Sequence, residues 1–387
     1  MIGFDLTEEQ WRMQEMAHEF AEKEMRLVAA QYDETEEFPW PVLEKAAKLG
    51  LMTYALPEEY GGVGITSHVT DCIVQEELFW GCAGIATSMG AIMLGALPIL
   101  LGGNEEQKKK YLTMLTQTKP DGRPMLGAYA ATEPEAGSDL ASLKTSAKKV
   151  PGGYILNCTK QFITNGGIAD VYSVFATHDP SLGPDGIDCF VVEGSSKGVI
   201  PGKKEKKMGI RASHTAQVIF EDVFVPEENR LGEEGEGFLI AMKTFDHSRP
   251  IVAAGAIGVA RAAYDAALAY SLERKQFGRA IAKFQAISFI LADMATEIDA
   301  ARLLAWRAAW LLDNDLPNMK ESSMAKAYAP DVAMKVTTDA VQILGGVGYT
   351  RDYPVEKFMR DAKIMQIYEG TTQIQKLVIS RSLIGFG

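Results

Sequence analysis

Hydrophobic and polar positions follow three successive regimes along this chain. Up to about residue 115 the spacing is helical. Thr7 with Gln10 three residues later forms a capping box, and Met13, Met16, Ala17 and Phe20 follow on one face. A second helix is predicted from Pro41, carrying Val42, Leu43, Ala46 and Leu49 and ending at Gly50. Residues 57–62, with Pro57, Gly61 and Gly62, read as a turn. Helices resume over 70–79 and 87–101, the latter closed by Gly102 and Gly103. Asn104 then caps a helix over 105–115, with acids in its first turn and Lys108, Lys109 and Lys110 beyond them, as the helix dipole favours.

From about Met125 the period changes. The runs 126–132, 154–157, 171–177, 187–193 and 217–225 are short and rich in β-branched or aromatic residues, and Gly- and Pro-bearing turns separate them. Strands that follow one another without intervening helices predict an antiparallel barrel or sandwich. Beyond Gly237 helical spacing returns. Phe284, Ile287, Leu291, Met294, Ile298, Ala301, Ala305, Ala308 and Leu312 alternate steps of three and four, the seam of a long bundle helix. Further helices are predicted over 250–273, 322–344, 353–362 and 371–383. The expected fold class is therefore α+β and multidomain: a helical domain over 1–124, a middle β domain over 125–238 and a C-terminal four-helix bundle over 239–387.

Length and charge narrow the functions available. A chain of 387 residues exceeds one ordinary core, and 47% hydrophobic residues exclude disorder. A net charge of −12 disfavours nucleic acid and anionic membrane surfaces as partners, so a phosphate-bearing ligand needs a local arginine. Cys72, Cys82, Cys158 and Cys189 form no metal or disulfide pattern, and the five histidines are isolated, so no metal site is expected. The N-terminus shows no basic region followed by an apolar one, and the apolar stretch 89–101 is interrupted by Gly90, Gly95 and Pro98. The expectation is a soluble, cytoplasmic protein.

Common motifs fail on context. Gly62-Val63-Gly64 and Gly346-Val347-Gly348 lack a third glycine and do not link a strand to a helix, and no P-loop occurs. Gly194-Ser195-Ser196-Lys197-Gly198 matches a nucleophile elbow, yet Val199-Ile200-Pro201-Gly202 cannot open the helix that an elbow requires. Ser323-Met324-Ala325-Lys326 reads as a chance S-x-x-K on an amphipathic helix. Four other segments carry more. Residues 129–139 leave a strand for a Gly/Ser turn rich in donors, and Arg274-Lys275-Gln276-Phe277-Gly278 places a guanidinium at a helix end. Gln342-Ile343-Leu344-Gly345-Gly346 closes a helix with glycines, and Tyr368-Glu369-Gly370-Thr371 sets an acid beside a glycine and a cap. Each alone is ordinary turn or cap chemistry.

In joint order and spacing, these segments resemble the acyl-CoA dehydrogenase family from end to end, nearest to its medium-chain subgroup. Asp246-His247-Ser248-Arg249-Pro250 and Tyr353-Pro354-Val355-Glu356-Lys357 look like that branch. The resemblance implies α,β-dehydrogenation of a fatty acyl-CoA to the trans-2-enoyl-CoA, as in fatty acid β-oxidation. FAD would accept the hydride at N5, an electron-transferring flavoprotein would receive the electrons, and the assembly would be a homotetramer built as a dimer of dimers.

It also implies roles. Glu369, before Gly370-Thr371, matches the α-proton acceptor, and Ser248 stands where other branches place their base. Tyr129, Ala131, Thr132, Ser138, Phe162, Ile163, Thr164, Thr371 and Gln373 match positions around the flavin. Arg274, Phe277, Phe284 and Gln285 match positions around the pyrophosphate and adenosine, and Gln342, Ile343, Gly345 and Gly346 a segment reaching the FAD of a neighbouring subunit. Ser138, Asp246, Arg249, Tyr368, Gly370 and Arg381 match substrate positions. Three departures stand out: Phe162 where many members carry Trp, Gly90 where the medium-chain pattern has a larger residue in the 86–93 pocket segment, and the stretch at His178, where a CoA-contacting serine of that pattern is replaced. Alternatives are an acyl-CoA oxidase, a dehydrogenase of branched or cyclic acyl-CoA, and a flavin-less partner subunit or scaffold.

Overall fold

The structure, a computed structural model, describes residues 5–385. The N-terminal helices are α1 (Glu8–Phe20), α2 (Ala29–Thr35), α3 (Trp40–Lys48), α4 (His68–Gly102) and α5 (Glu105–Leu115). Both N-terminal capping boxes form: Thr7 with Gln10, and Asn104 with Gln107. The sheet region holds β1 (Gly127–Ala130), β2 (Ser146–Val150), β3 (Gly153–Thr164), β4 (Val171–Thr177), β5 (Ile187–Glu193), β6 (Val199–Lys204), β7 (Thr215–Pro226) and β8 (Arg230–Leu231). Then come α6 (Gly237–Glu273), a hairpin of β9 (Lys275–Gln276) and β10 (Arg279–Ala280), and helices α7 (Gln285–Asp313), α8 (Met319–Leu344), α9 (Val355–Met365) and α10 (Thr372–Ile384).

Helices at both ends around a β region, the expected class, are what forms, with more strands than expected. The sheet runs β6-β7-β3-β2-β4-β5-β8, with β1 added on β4. Pairing is antiparallel except where β1 lies parallel to β4 and Ser146 of β2 meets Thr177 of β4, so the sheet is mixed. Strands β2, β6 and β8 escaped the hydrophobic pattern because β2 turns Lys148 and Lys149 to solvent, β6 carries Pro201 and Gly202, and β8 is only two residues long. The α7 seam buries Leu291, Met294, Ile298, Ala301, Ala305 and Ala308 as its periodicity predicts.

The two helices expected over 70–79 and 87–101 are one continuous run, broken only where Cys82 adopts extended backbone (φ −164°, ψ 113°). Gly95, which breaks the apolar stretch in sequence, is a contact point in the fold. A Cβ at Gly95 would lie 2.6 Å from the Ala128 nitrogen, so glycine lets α4 touch β1. This corrects the expectation about the apolar stretch: α4 and α6 are each long and apolar enough to cross a membrane, but 61% and 67% of those windows are buried inside the fold. They are the core helices on which the β region and the bundle rest.

Where α6 crosses α4, a Cβ on Gly258 would lie 2.2 Å from the Glu76 carbonyl oxygen. The backbone cannot yield there without parting the two helices. Gly258→Ala is expected to lower stability by ~1–3 kcal/mol, as overpacking does. Thermal unfolding of the flavin-loaded protein checks this, and an unchanged melting temperature would contradict the packing described.

Candidate active site

The end of α9 feeds a turn that a chain adopts only under constraint. Glu369 (φ 51°) and Gly370 (φ 89°) are both left-handed, and for a non-glycine residue this disfavours the turn by ~1–2 kcal/mol. Three groups hold it. The Lys326 ammonium, fully buried on α8, donates to the carbonyls of Met365 (2.7 Å), Tyr368 (2.7 Å) and Gly370 (2.9 Å). The Gln375 amide on α10 donates to the carbonyls of Glu369 (3.3 Å) and Gly370 (3.0 Å), and Thr371 caps α10. Among the described hydrogen bonds, the Glu369 N–H donates to no protein acceptor.

The Glu369 side chain turns toward α6. Ser248 Oγ, nearly buried, donates to Glu369 Oε2 at 2.5 Å. Next to Ser248 on α6, Arg249 Nη1 donates to Asp246 Oδ1 at 2.6 Å, and the Asn318 amide donates to the Asp246 carbonyl. Burial pushes the Glu369 carboxyl above its ordinary range, opposed by the Ser248 hydroxyl and the charges of Lys326 and Arg249. The Lys326 ammonium is pushed down to about 8, mainly by burial. Tyr129, on β1, faces the same cluster; its hydroxyl is buried without a partner, and burial raises its pKa well above the usual phenol value. The Tyr368 hydroxyl donates to Met365 Sδ at 2.8 Å. In the middle of α4, Thr87, Gly90, Met93, Leu94 and Leu97 remain partly accessible at helical spacing, on one face of the helix.

A second layer shapes the donor turn after β1. Buried Lys160 donates to Glu133 Oε1 (2.9 Å) and the Ala131 carbonyl (3.0 Å), while Glu133 accepts from the N–H groups of Lys144 and Thr145 and from the Thr145 hydroxyl. Ala131 is buried, Thr132 half-buried and Ser138 exposed on the outer part of the turn. A bulge between Lys160 and Ile163 sets Phe162 at φ 57° and leaves it 62% exposed, while Ile163 packs inward and Thr164 is half-buried. Gln161 N–H donates to the Thr132 carbonyl at 2.8 Å and so ties the two segments together.

The structure thus brings Tyr129, Asp246, Ser248, Arg249, Tyr368, Glu369 and Gly370 together. Other expected residues lie apart on the surface. Arg274 ends α6 exposed, Phe277 is 94% exposed at φ 51°, and Phe284 stacks under Arg279 before the exposed Gln285. Gln342 is exposed and Ile343 buried at the end of α8, and a Cβ on Gly345 or Gly346 would meet nothing within 4 Å. Gln373 and Arg381 are exposed along α10. Among the described residues, no hydrogen bond or ion pair links these groups to the Glu369 cluster. A separate cavity of about 410 Å³, lined by Lys144, Lys148, Tyr154 and His178 among others, includes no member of that cluster.

Three family models cover nearly the whole chain: the acyl-CoA dehydrogenase N-terminal domain at 7–119, middle domain at 128–223 and C-terminal domain at 235–384. A short-chain-specific acyl-CoA dehydrogenase of Clostridium acetobutylicum is 46% identical over 383 residues, covering 98% of this chain and 99% of that one. The chain belongs to the acyl-CoA dehydrogenases. It is an FAD-dependent oxidoreductase that dehydrogenates acyl-CoA thioesters. Two solved structures agree in fold. Butyryl-CoA dehydrogenase of Megasphaera elsdenii is 44% identical at a TM-score of 0.95, over 99% of this chain and all of that one. A chain from work on the electron transferring flavoprotein of Acidaminococcus fermentans is 47% identical at 0.95, with the same coverage.

The residues present fit a flavin. The unpartnered Tyr129 hydroxyl, the bulge that turns Phe162 outward and the open backbone at Gly345 and Gly346 are features that an aromatic, hydrogen-bonding cofactor would use. Sequence reasoning placed Ser248 only as a missing base and Lys326 only as part of a chance motif. A signal for Lys326 existed, because it lies on the buried stripe of α8 with Ser322, Ala325, Ala329 and Ala333.

Lys160 and Glu133 form a buried pair beneath the donor turn, so removing one partner leaves an uncompensated charge. Lys160→Met is expected to lower stability by ~3–5 kcal/mol. Denaturant unfolding checks this, and an unchanged midpoint would mean that the pair does not support the turn.

Proposed function

We propose that Glu369 is the base that removes the α-proton of a straight-chain fatty acyl-CoA. The observation that carries this reading is a carboxyl group raised by burial, set in a held left-handed turn whose own N–H has no protein acceptor. A raised carboxylate is a stronger base, and one near working pH suits a weakly acidic C–H. The free Glu369 N–H supplies a donor for the thioester oxygen as negative charge develops on it. FAD, when bound, accepts the β-hydrogen as hydride. Tyr129, Thr132, Phe162, Thr164 and Thr371 are proposed to line the flavin, and Asp246 and Arg249 to orient the CoA moiety. Ser248 positions the carboxylate without competing for the proton, since a hydroxyl is a poor base.

Further parts of the reading rest on relatives and on surface chemistry. An electron-transferring flavoprotein is the proposed electron acceptor, in keeping with the Acidaminococcus fermentans relative. A homotetramer is proposed because Phe277, Tyr349 and the Arg274 end of α6 stand exposed, where a second subunit's FAD would meet them. Four free cysteines suit a reducing cytoplasm.

Glu369→Gln is expected to keep FAD yet slow flavin reduction by at least ~10³-fold, because a positioned base contributes roughly 10²–10⁴. Stopped-flow bleaching at the native rate would refute the assignment. Chain length is proposed to be limited at Gly90, where an added Cβ would meet only Gln75 Oε1, 3.9 Å away. Gly90→Leu should depress turnover of the longest accepted substrate much more than of a butyryl thioester, in a graded way worth ~1–3 kcal/mol per misfitting methylene. Equal losses on short and long chains would place Gly90 outside the pocket.

A further inference from the structure

A lysine with no exposed surface is rare unless paired, and Lys326 has no carboxylate within ion-pair distance among the described residues. All three of its N–H donors instead go to backbone carbonyls of one turn, those of Met365, Tyr368 and Gly370. These carbonyls bracket Glu369, and the geometry accounts for the ammonium's full donor capacity. We propose that Lys326 is a positioning residue for the dehydrogenation, clamping the left-handed turn that carries Glu369. The inference rests on Glu369 being the base.

Two physical consequences separate this role from plain structural support. The first is geometric. Without the clamp, Tyr368 and Gly370 lose carbonyl partners on both sides of a non-glycine left-handed residue, and the turn can relax toward ordinary backbone. A base displaced by about 1 Å loses roughly 10²-fold in rate while substrate binding elsewhere persists. The second is electrostatic. Burial raises the Glu369 carboxyl, and the charges of Lys326 and Arg249 lower it. Arg249 is itself engaged by Asp246 on α6, Asp331 acts on Lys326 from within α8, and Tyr129 and Tyr368 stay neutral beside the carboxyl. On α9, Asp361 is taken up by Lys357. Lys326 is therefore the cation whose removal leaves Glu369 facing burial with Arg249 alone. The sign follows: the folded-state pKa of Glu369 rises, and the acid limb of the rate profile moves to higher pH.

The test compares flavin-loaded wild type with Lys326→Met, which removes donors and charge, and Lys326→Gln, which keeps two N–H donors without charge. Flavin content, KM, kcat and the pH profile of flavin reduction by an acyl-CoA are measured for each, with Glu369→Gln alongside. The expected result is full flavin and near-native KM in both variants, with kcat down about 10²-fold in Lys326→Met and less in Lys326→Gln. In both, the acid limb should move up by ~1 pH unit or more, as loss of a neighbouring opposite charge requires. If Lys326→Met fails to fold, Lys326→Gln decides by the same limb. Native kcat with an unmoved limb overturns the proposal, and so does a variant whose only changes are lost flavin and lost stability. Glu369→Gln separates the two claims. Native flavin reduction in that variant would remove the base itself, whereas an inactive Glu369→Gln beside native Lys326 variants would overturn only the role of Lys326.

Discussion

Taking a carboxylate out of water favours its neutral form, and the turn at Glu369 is where this chain accepts that penalty. Much of the surrounding architecture limits it. Ser248 gives the carboxylate one strong hydrogen bond, Arg249 and Lys326 contribute positive charge, and none of the three neutralises it by direct ion pairing. The balance leaves a carboxyl raised by burial beside two cations that favour its ionised form. A full salt bridge would hold the carboxyl far down and remove its basicity. Burial with no cations would keep it protonated.

That balance needs elements remote in sequence to meet. Ser248 and Glu369 are 121 residues apart, and Lys326 reaches Gly370 across 44. The crossing of α4 and α6 at Gly258 and the contact of α4 with β1 at Gly95 set the distances between α4, the β region and the helix bearing Ser248. The donor turn after β1 is secured independently, through Lys160 and Glu133, and Gln161 locks it to the bulge that presents Phe162. Two buried lysines thus shape the two backbone turns of the site, Lys160 from strand β3 and Lys326 from helix α8.

Local signals in the sequence were legible, and long-range ones were not. Capping at Thr7 and Asn104, strands β4 and β5, and the α7 seam follow from residues within a few positions of one another, so pattern alone located them. The break at Cys82 has no local marker, and that Gly95 marks a close contact with β1 rather than a mere gap in an apolar stretch depends on a residue 33 positions away, Ala128. The turn at Glu369 was legible through Gly370 and the cap Thr371 that follow it. Ser248 and Lys326 gain their meaning only from partners on other helices, and nothing in their neighbouring residues announces it.

The central claim, a carboxyl raised by burial yet kept ionisable by nearby cations, can be tested without turnover. Infrared difference spectra of the flavin-loaded protein, taken as pH is stepped, report the protonated carboxyl stretch, and subtraction of the same series for Glu369→Gln isolates Glu369. The account predicts a single carboxyl band that persists to a pH above the ordinary carboxylate range and then titrates away as Glu369 ionises. A band that disappears within the ordinary range, or a Glu369 that stays protonated throughout the pH range of activity, would contradict it.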